Sequence, residues 1–105
     1  MAWFSLIVAG LLEVVWAYGM KRSVGFTKLG PSVVTVVAML ASFGLLARAM
    51  KTIPLGTAYA MWTGIGALGA LLVGVFVLGE QANAGRVVAG VLIMAGLLMM
   101  KLSSP

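Results

Sequence analysis

Residues 3–20 read WFSLIVAGLLEVVWAYGM, an almost entirely apolar segment that indicates the fold class. Glu13 is its only charged residue, and the basic pair Lys21 and Arg22 follows it. An apolar stretch of this length is typical of a helix that crosses a lipid bilayer. A secretory signal peptide is the alternative. Such peptides begin with a basic segment and have a purely apolar centre, so we favour a membrane-spanning helix.

The composition of the whole chain agrees with a lipid environment. Of the 105 residues, 63% are hydrophobic and 9% are charged, whereas about a quarter of the residues in a soluble domain are charged. Seven Lys and Arg against two Glu give a net charge of +5, but the basic residues fall singly or in pairs between apolar stretches. That distribution indicates anchoring to lipid headgroups, and no nucleic-acid partner is expected.

Three further apolar stretches follow the first. The four predicted helices cover residues 3–20, 32–48, 54–78 and 85–101. A turn is predicted at Gly30 and Pro31, before the second helix, and Pro54 is a good residue for the first turn of the third. The apolar part of the fourth helix, residues 87–100, is short, but the long side chains of Arg86 and Lys101 extend its span.

These features predict an all-α membrane protein with four transmembrane helices per chain in a single domain, residues 1–105. Backbone N–H and C=O groups in hydrocarbon must be satisfied within the segment, which a helix achieves. Strands of a membrane β-barrel would alternate polar and apolar residues, and these segments do not. Asn83, three residues before Arg86, is expected to cap the start of the fourth helix.

The basic residues are almost evenly divided between the two sides of the membrane if successive helices alternate in direction. One side receives Arg48, Lys51 and Lys101, and the other receives Lys21, Arg22, Lys28 and Arg86. The positive-inside rule then gives little preference for either orientation. We therefore predict an antiparallel homodimer with dual topology, which resembles the inverted repeats of larger transporters. A single orientation, set by other features or by a paralogous partner, is the alternative.

Glu13 lies near the middle of its predicted span, where an ionised carboxylate is costly. None of the four apolar stretches has Lys, Arg or His between its ends, so no internal salt bridge is expected. The carboxyl must therefore be protonated, face water, or bind a cation from outside the chain. Competition of a proton and a transported cation for one carboxylate is the basis of antiport. The alternative is a protonated Glu13 that only hydrogen-bonds a neighbouring helix.

Several aromatic and hydroxyl side chains are expected at a similar depth. Trp16 shares a helical face with Glu13, and the small Gly10 lies on that same face. Ser42 of the second helix, with Tyr59 and Trp62 of the third, completes the predicted proton and substrate site. Aromatic faces attract cations, and hydroxyls orient carboxylates. The alternatives are interfacial anchoring for the tryptophans and helix packing for Ser42.

Small residues have two further predicted roles. Gly64 and Gly66 interrupt the third helix just after Trp62, where a hinge would change which side of the membrane reaches the site; close packing is the alternative. Ala89 and Gly96 form a small-residue stripe suited to a dimer contact. Glu80 is expected in a loop, paired with Arg86, and has no predicted transport role.

The sequence contains no Cys and no His. Disulfide bonds, thiol chemistry and a zinc site are therefore not expected. We predict no cofactor and no metal site. Since most catalytic constellations are missing, the chain is not expected to be an enzyme.

The chain resembles the small multidrug resistance transporters over its whole length. The resemblance depends on Glu13, on the runs KRSVGFTKLGPS at 21–32 and PLGTAYAMW at 54–62, and on Gly64-Ile65-Gly66. Within the family, EVVWA at 13–17 and WTGIGA at 62–67 are similar to the guanidinium-exporter branch. Members that export bulky aromatic cations commonly have a small residue where this chain has Trp16.

The resemblance implies an antiparallel dimer in a bacterial inner membrane that exchanges guanidinium-like cations for protons. It implies Glu13 as the shared proton and substrate site, with walls formed by Trp16, Tyr59 and Trp62. Ser42 would be a hydrogen-bonding neighbour, and Ala89 with Gly96 the dimer contact. The chain departs from some relatives in having Ala89 in place of Gly and Lys28 in place of Arg.

Guanidinium suits the predicted site because it is planar and can meet a carboxylate through two parallel hydrogen bonds. A quaternary ammonium lacks these donors and needs aromatic faces and more room. A broad quaternary-ammonium exporter coupled to protons is the alternative within transport. Outside transport, the alternatives are a non-transporting subunit of a membrane complex and a rotary-ring proteolipid.

Overall fold

In the computed structural model, which describes residues 2–103, the chain forms four helices. They are α1 (Ala2–Arg22), α2 (Leu29–Ala49), α3 (Leu55–Phe76) and α4 (Ala84–Leu102). Each of the four is long and apolar enough to cross a membrane. The all-α architecture with four membrane-spanning helices is therefore confirmed. Of the predicted domain 1–105, residues 1, 104 and 105 lie outside the described part.

Every helix end lies one to three residues from the predicted one, and two of these differences are described here. Helix α2 begins at Leu29, so Gly30 and Pro31 lie in its first turn and not in a separate turn before it. Proline is tolerated there because the first N–H groups of a helix have no partner within the helix. Helix α3 ends at Phe76, two residues before the predicted end, and Gly79 follows with a φ of 71°.

The start of α4 is capped as predicted. The side chain of Asn83 accepts a hydrogen bond from the backbone N–H of Arg86 at 2.9 Å. This bond satisfies one of the N–H groups that a helix start leaves free.

The connection between α1 and α2 has an unusual backbone. Val24, Gly25 and Phe26 all have positive φ values, of 50°, 70° and 65°. Left-handed conformations are unfavourable for residues with a side chain, above all for a β-branched one. The buried Ser23 holds the turn, because its Oγ donates to the Met20 carbonyl at 2.7 Å and accepts the Phe26 N–H at 3.0 Å.

Contacts between α1 and α2 show that these helices are antiparallel. Near the start of α1, Ala9 meets Ser42 of α2 through a hydrogen bond. Near its end, Gly19 packs against Thr35, which comes earlier in α2.

Helix α3 runs parallel to α1, and α4 is antiparallel to α3. Gly10 of α1 packs against Ile65, and Val14 packs further along α3 against Gly69. At the other interface, Gly64 meets Leu97 of α4 and Gly90 of α4 meets Leu71. The helices therefore alternate in direction, so the basic residues lie at both of the opposite ends of the four-helix assembly.

The buried apolar cluster lies toward the end of the molecule where α1 begins. Its members come from α1, α2, α3 and the α2–α3 connection: Leu6, Ala9, Leu46, Ala49, Ile53, Ala58, Met61 and Trp62. Leu97 and Met100 of α4 pack on its edge. The ammonium group of Lys101 lies 4.4 Å from the ring centroid of Trp3, which attaches the end of α4 to the start of α1.

The four helices form a slab and not a closed bundle. The chain measures 43 × 35 × 17 Å, and the shortest dimension is less than two helix diameters of about 10–12 Å each. Within the described residues, α4 has no buried residue. A whole face of this helix is therefore exposed in the single chain.

Candidate functional site

Ser42 joins three helices at the centre of the candidate site. Its side chain is 0% exposed. Its hydroxyl donates to the Ala9 carbonyl of α1 at 2.7 Å and accepts the indole N–H of Trp62 of α3 at 3.0 Å. The only hydrogen of the hydroxyl is thus committed to a backbone carbonyl. The oxygen has one further lone pair, so any additional partner of Ser42 must be a hydrogen-bond donor.

These three residues form one layer of the molecule. Ala9 lies seven residues after Ala2, Ser42 seven before Ala49, and Trp62 seven after Leu55. The start of α1, the end of α2 and the start of α3 lie on the same side of the molecule because the helices alternate in direction. At 1.5 Å per residue, the layer is about 10 Å inside that side.

Aromatic rings surround the Ser42–Trp62 bond. The centroid of the Tyr59 ring is 5.6 Å from that of Trp62, and the rings are inclined at 49°. The ring of Phe43 meets Trp62 edge-on at 5.8 Å. Trp62 is buried at 7% exposure, whereas Tyr59 is 54% exposed and presents its ring at the surface of the single chain.

Glu13 lies one helical turn deeper than this layer, four residues after Ala9 in α1. Its carboxyl packs directly against Gly66 of α3. The Oε1 atom is buried and has no hydrogen-bond partner among residues 2–103. A buried acceptor without a donor is unfavourable, and more so where lipid replaces water. The carboxyl therefore requires a partner that the described part of one chain does not supply.

Trp16 has a similar unsatisfied group. Its Nε1 is buried, and within the described residues it also has no hydrogen-bond acceptor. Trp16 follows Glu13 by three residues on α1, so the two side chains share a helical face. An unsatisfied acceptor and an unsatisfied donor therefore lie on one face of α1, near its middle.

The predicted site residues are thus only partly brought together. Trp62 contacts both Ser42 and Tyr59, as described above. Glu13 and Trp16 are one and two turns away along α1. Gly10 is buried between them and the Ser42 layer, where a side chain would collide with Ile65.

Two groups in the site were not predicted from the sequence. The Ala9 carbonyl is a backbone group, and no residue type indicates its role. Phe43 follows Ser42 directly, and this position in the sequence is the only feature that could have indicated that Phe43 belongs to the site.

The predicted hinge lies in an unbroken part of α3. The helix is continuous from Leu55 to Phe76. Gly64 faces Leu97 of α4 and Gly66 faces Glu13 of α1, so both glycines permit close packing. The hinge stays a prediction. The dimer contact also stays a prediction, but Ala89 and Gly96 are both exposed in the single chain, as that role requires.

Glu80 lies outside the membrane-spanning helices and pairs with Arg86, as predicted. Its Oε1 is 3.3 Å from Nη1 of Arg86. The two side chains are 46% and 45% exposed, so the pair lies at the surface, where ion pairs stabilise proteins only slightly.

Comparison with known proteins gives the family. The family model described as "Small Multidrug Resistance protein" matches residues 1–94. The chain belongs to the small multidrug resistance family. The resemblance drawn from its motifs is therefore confirmed, and the four membrane-spanning helices are those of a multi-pass membrane protein.

Relatives within this family match almost end to end. A protein of Yersinia pseudotuberculosis named guanidinium exporter is 56% identical over 104 residues, which are 99% of this chain and 100% of the relative. The guanidinium exporter of Escherichia coli K12 is also 56% identical, over 99% of each chain. That of Citrobacter freundii is 53% identical over the same shares. Transport is therefore the activity class of the relatives, and their names describe export and not catalysis.

Proposed function

We propose that this protein exports guanidinium and small substituted guanidinium cations in exchange for protons. Protons and substrate compete for the carboxyl of Glu13, and the transporter works by alternating access. It acts as an antiparallel homodimer in the inner membrane of a bacterium. The names of relatives that are 56% identical over nearly the whole chain support the substrate class.

The observation that carries the proposal is the isolation of Glu13. Its Oε1 is buried without a partner in the described chain. Every Lys and Arg within the four described helices lies in a first or last turn. Neutralisation of a carboxylate near the centre of α1 therefore requires a positive charge from outside the chain, either a proton or a bound cation. One group that accepts either, but not both, couples their movements in opposite directions.

The chemistry around Ser42 favours guanidinium over a quaternary ammonium. Ser42 has already donated its hydrogen to Ala9, so it offers a substrate only an acceptor. Guanidinium is rich in N–H donors, while a quaternary ammonium has none. The same cation can meet Glu13 through two parallel hydrogen bonds. The rings of Tyr59 and Trp62 supply faces that attract its charge.

Three features support the dimer and its mechanism. The slab shape and the exposed face of α4 leave apolar surface for a second copy. The nearly equal numbers of basic residues at the two ends allow that copy to insert upside down. The third feature is the glycine pair Gly64 and Gly66 within α3, where bending would open the site to one side of the membrane at a time.

Transport assays in liposomes test the proposal. Purified protein is reconstituted with a trapped pH indicator, and an outward gradient of guanidinium or of tetraethylammonium is applied. We expect guanidinium to drive proton movement in the opposite direction, with a much smaller response to tetraethylammonium. Glu13→Gln should abolish the guanidinium response. Glu80→Gln is the matched control, because these are the two acidic residues of the chain and only Glu13 is in the membrane.

Three results would contradict the proposal. Equal responses to both cations would favour the quaternary-ammonium exporter. Proton movement with neither cation would favour a subunit without transport activity. Undiminished exchange by Glu13→Gln would show that the coupling does not depend on this carboxyl.

A further inference from the structure

The interface between α1 and α3 is interlocked at three glycines. Gly10 of α1 receives the side chain of Ile65. In the opposite direction, Gly66 and Gly69 of α3 receive the side chains of Glu13 and Val14. A Cβ at any of these glycines would overlap the side chain that faces it. The register of α1 against α3 therefore depends on these close contacts.

Gly66 differs from the other two because the group it receives is a carboxyl. A Cβ at position 66 would stand 2.9 Å from Cγ of Glu13, and closer still to its carboxyl carbon and Oε1. Such distances do not occur between unbonded heavy atoms, so a side chain at position 66 would force the carboxyl to move. The Oε1 atom is buried in this contact.

We propose that Gly66 is a positioning residue: because it has no side chain, the Glu13 carboxyl can pack against its backbone, one turn from the Ser42–Trp62 bond. We call this contact between Gly66 and the Glu13 carboxyl the seat. This inference rests on the proposed function, in which Glu13 binds the cation and the proton. Trp62 of α3 lies at the same depth as Ala9 of α1. Gly66 follows Trp62 by four residues and Glu13 follows Ala9 by four, so in these parallel helices Gly66 and Glu13 also lie at one depth. The seat thus sets the distance between the carboxylate and the aromatic and hydroxyl groups that share the substrate with it.

Gly69 supplies a matched control for ordinary packing. It lies one turn further along the same face of α3, in the same interface, but it faces a methyl group of Val14. Gly69→Ala and Gly66→Ala add the same methyl group, and both disturb the packing of α1 on α3. Only Gly66→Ala displaces the carboxyl. A role in packing alone predicts the same behaviour for both variants.

The experiment measures the dissociation constant of guanidinium for the purified full-length protein, by its tryptophan fluorescence or by calorimetry, together with the melting temperature. We expect Gly66→Ala to weaken guanidinium binding by about tenfold or more, since a charged hydrogen bond depends strongly on position. Gly69→Ala should lower the melting temperature and leave the dissociation constant within about twofold of the wild type.

A second variant tests which group Gly66 faces. Aspartate is one methylene shorter, so Glu13→Asp withdraws the carboxyl from a methyl group at position 66. We expect the Glu13→Asp/Gly66→Ala double variant to melt at a higher temperature than Gly66→Ala and to bind guanidinium more tightly. The seat would be overturned if the double variant neither melted at a higher temperature than Gly66→Ala nor bound guanidinium more tightly. This comparison holds even if Gly66→Ala itself folds poorly.

Failure of the seat and failure of the proposed function give different results. If the wild type does not bind guanidinium, the proposed function fails and the inference fails with it. If the wild type binds and Gly66→Ala binds equally well, or if Gly69→Ala loses as much affinity as Gly66→Ala, only the seat is overturned.

Discussion

The indole N–H of Trp62 donates to Ser42 Oγ at 3.0 Å, which ties a ring of α3 to a hydroxyl of α2. The same hydroxyl donates to α1, so one side chain of a single serine connects three of the four described helices. Because the proposed substrate lies against Trp62, the orientation of this ring is set by a group on another helix.

Ser42→Ala should therefore weaken guanidinium binding. The substitution removes the acceptor of the Trp62 N–H and also the oxygen that is proposed to accept an N–H of the substrate. Loss of that buried hydrogen bond to the substrate costs about 1–1.5 kcal/mol, or roughly tenfold in affinity. Titration with guanidinium while tryptophan fluorescence is recorded gives the dissociation constant. Ser32→Ala is the control on the same helix, because within residues 2–103 the Ser32 hydroxyl bonds to the Lys28 carbonyl and to no other helix. Wild-type affinity in Ser42→Ala would contradict the role of the bond.

Competition at Glu13 predicts that guanidinium binds more weakly as the pH falls. When one proton excludes one cation, the apparent dissociation constant rises by up to about tenfold for each unit decrease of pH below the point where the carboxyl takes up its proton. Isothermal titration at a series of pH values measures this slope. Glu80→Gln should keep the same slope. A dissociation constant that does not change with pH would exclude competition.

The hinge is separable from packing at Gly64. A Cβ at this position would lie 2.5 Å from Cδ2 of Leu97, so Gly64→Ala alone disturbs α4. Leu97→Ala removes the collision. We expect Gly64→Ala/Leu97→Ala to melt at nearly the same temperature as Leu97→Ala but to transport severalfold more slowly, because only the backbone freedom of α3 differs. Equal transport rates would favour packing as the role of this glycine.

The exposed stripe on α4 predicts where the dimer forms. No heavy atom outside the neighbouring backbone lies within 4 Å of a Cβ built at Gly96 in the described chain. The Cβ of a larger residue is thus unobstructed in the single chain, but a leucine side chain would block the close approach of another helix. We expect Gly96→Leu to shift the protein from dimer to monomer in cross-linking or single-molecule counting in bilayers. Val91→Leu, on the opposite side of α4, should leave the dimer intact. A dimeric Gly96→Leu would place the contact elsewhere.

The sequence was sufficient for the helices because hydrocarbon permits little else for long apolar segments. It was less reliable at their ends. Pro31 marks a turn in most contexts, yet the first turn of α2 accepts it because the missing N–H has no partner there. The cap at Asn83 and the Glu80–Arg86 pair were predictable because both are local in the chain.

The candidate site was predictable in its residue types and not in its contacts. Periodicity places Glu13 and Trp16 on one face of α1, but it does not give the register of α1 against α3. That register alone determines that Glu13 faces Gly66. The acceptor of Ser42 is likewise invisible in the sequence, since every residue has a carbonyl and only the packing selects Ala9.

The bare surface of α4 has a consequence for the synthesis of the protein. Because no residue of this helix is buried in the described chain, its entry into the bilayer gains little from the preceding helices. The segment must partition from the translocation machinery into lipid by its own affinity for hydrocarbon. A charged substitution in the middle of α4 would therefore act while the ribosome is still attached. Its main effect would be fewer correctly inserted chains, and not a lower stability of the chains that have already folded.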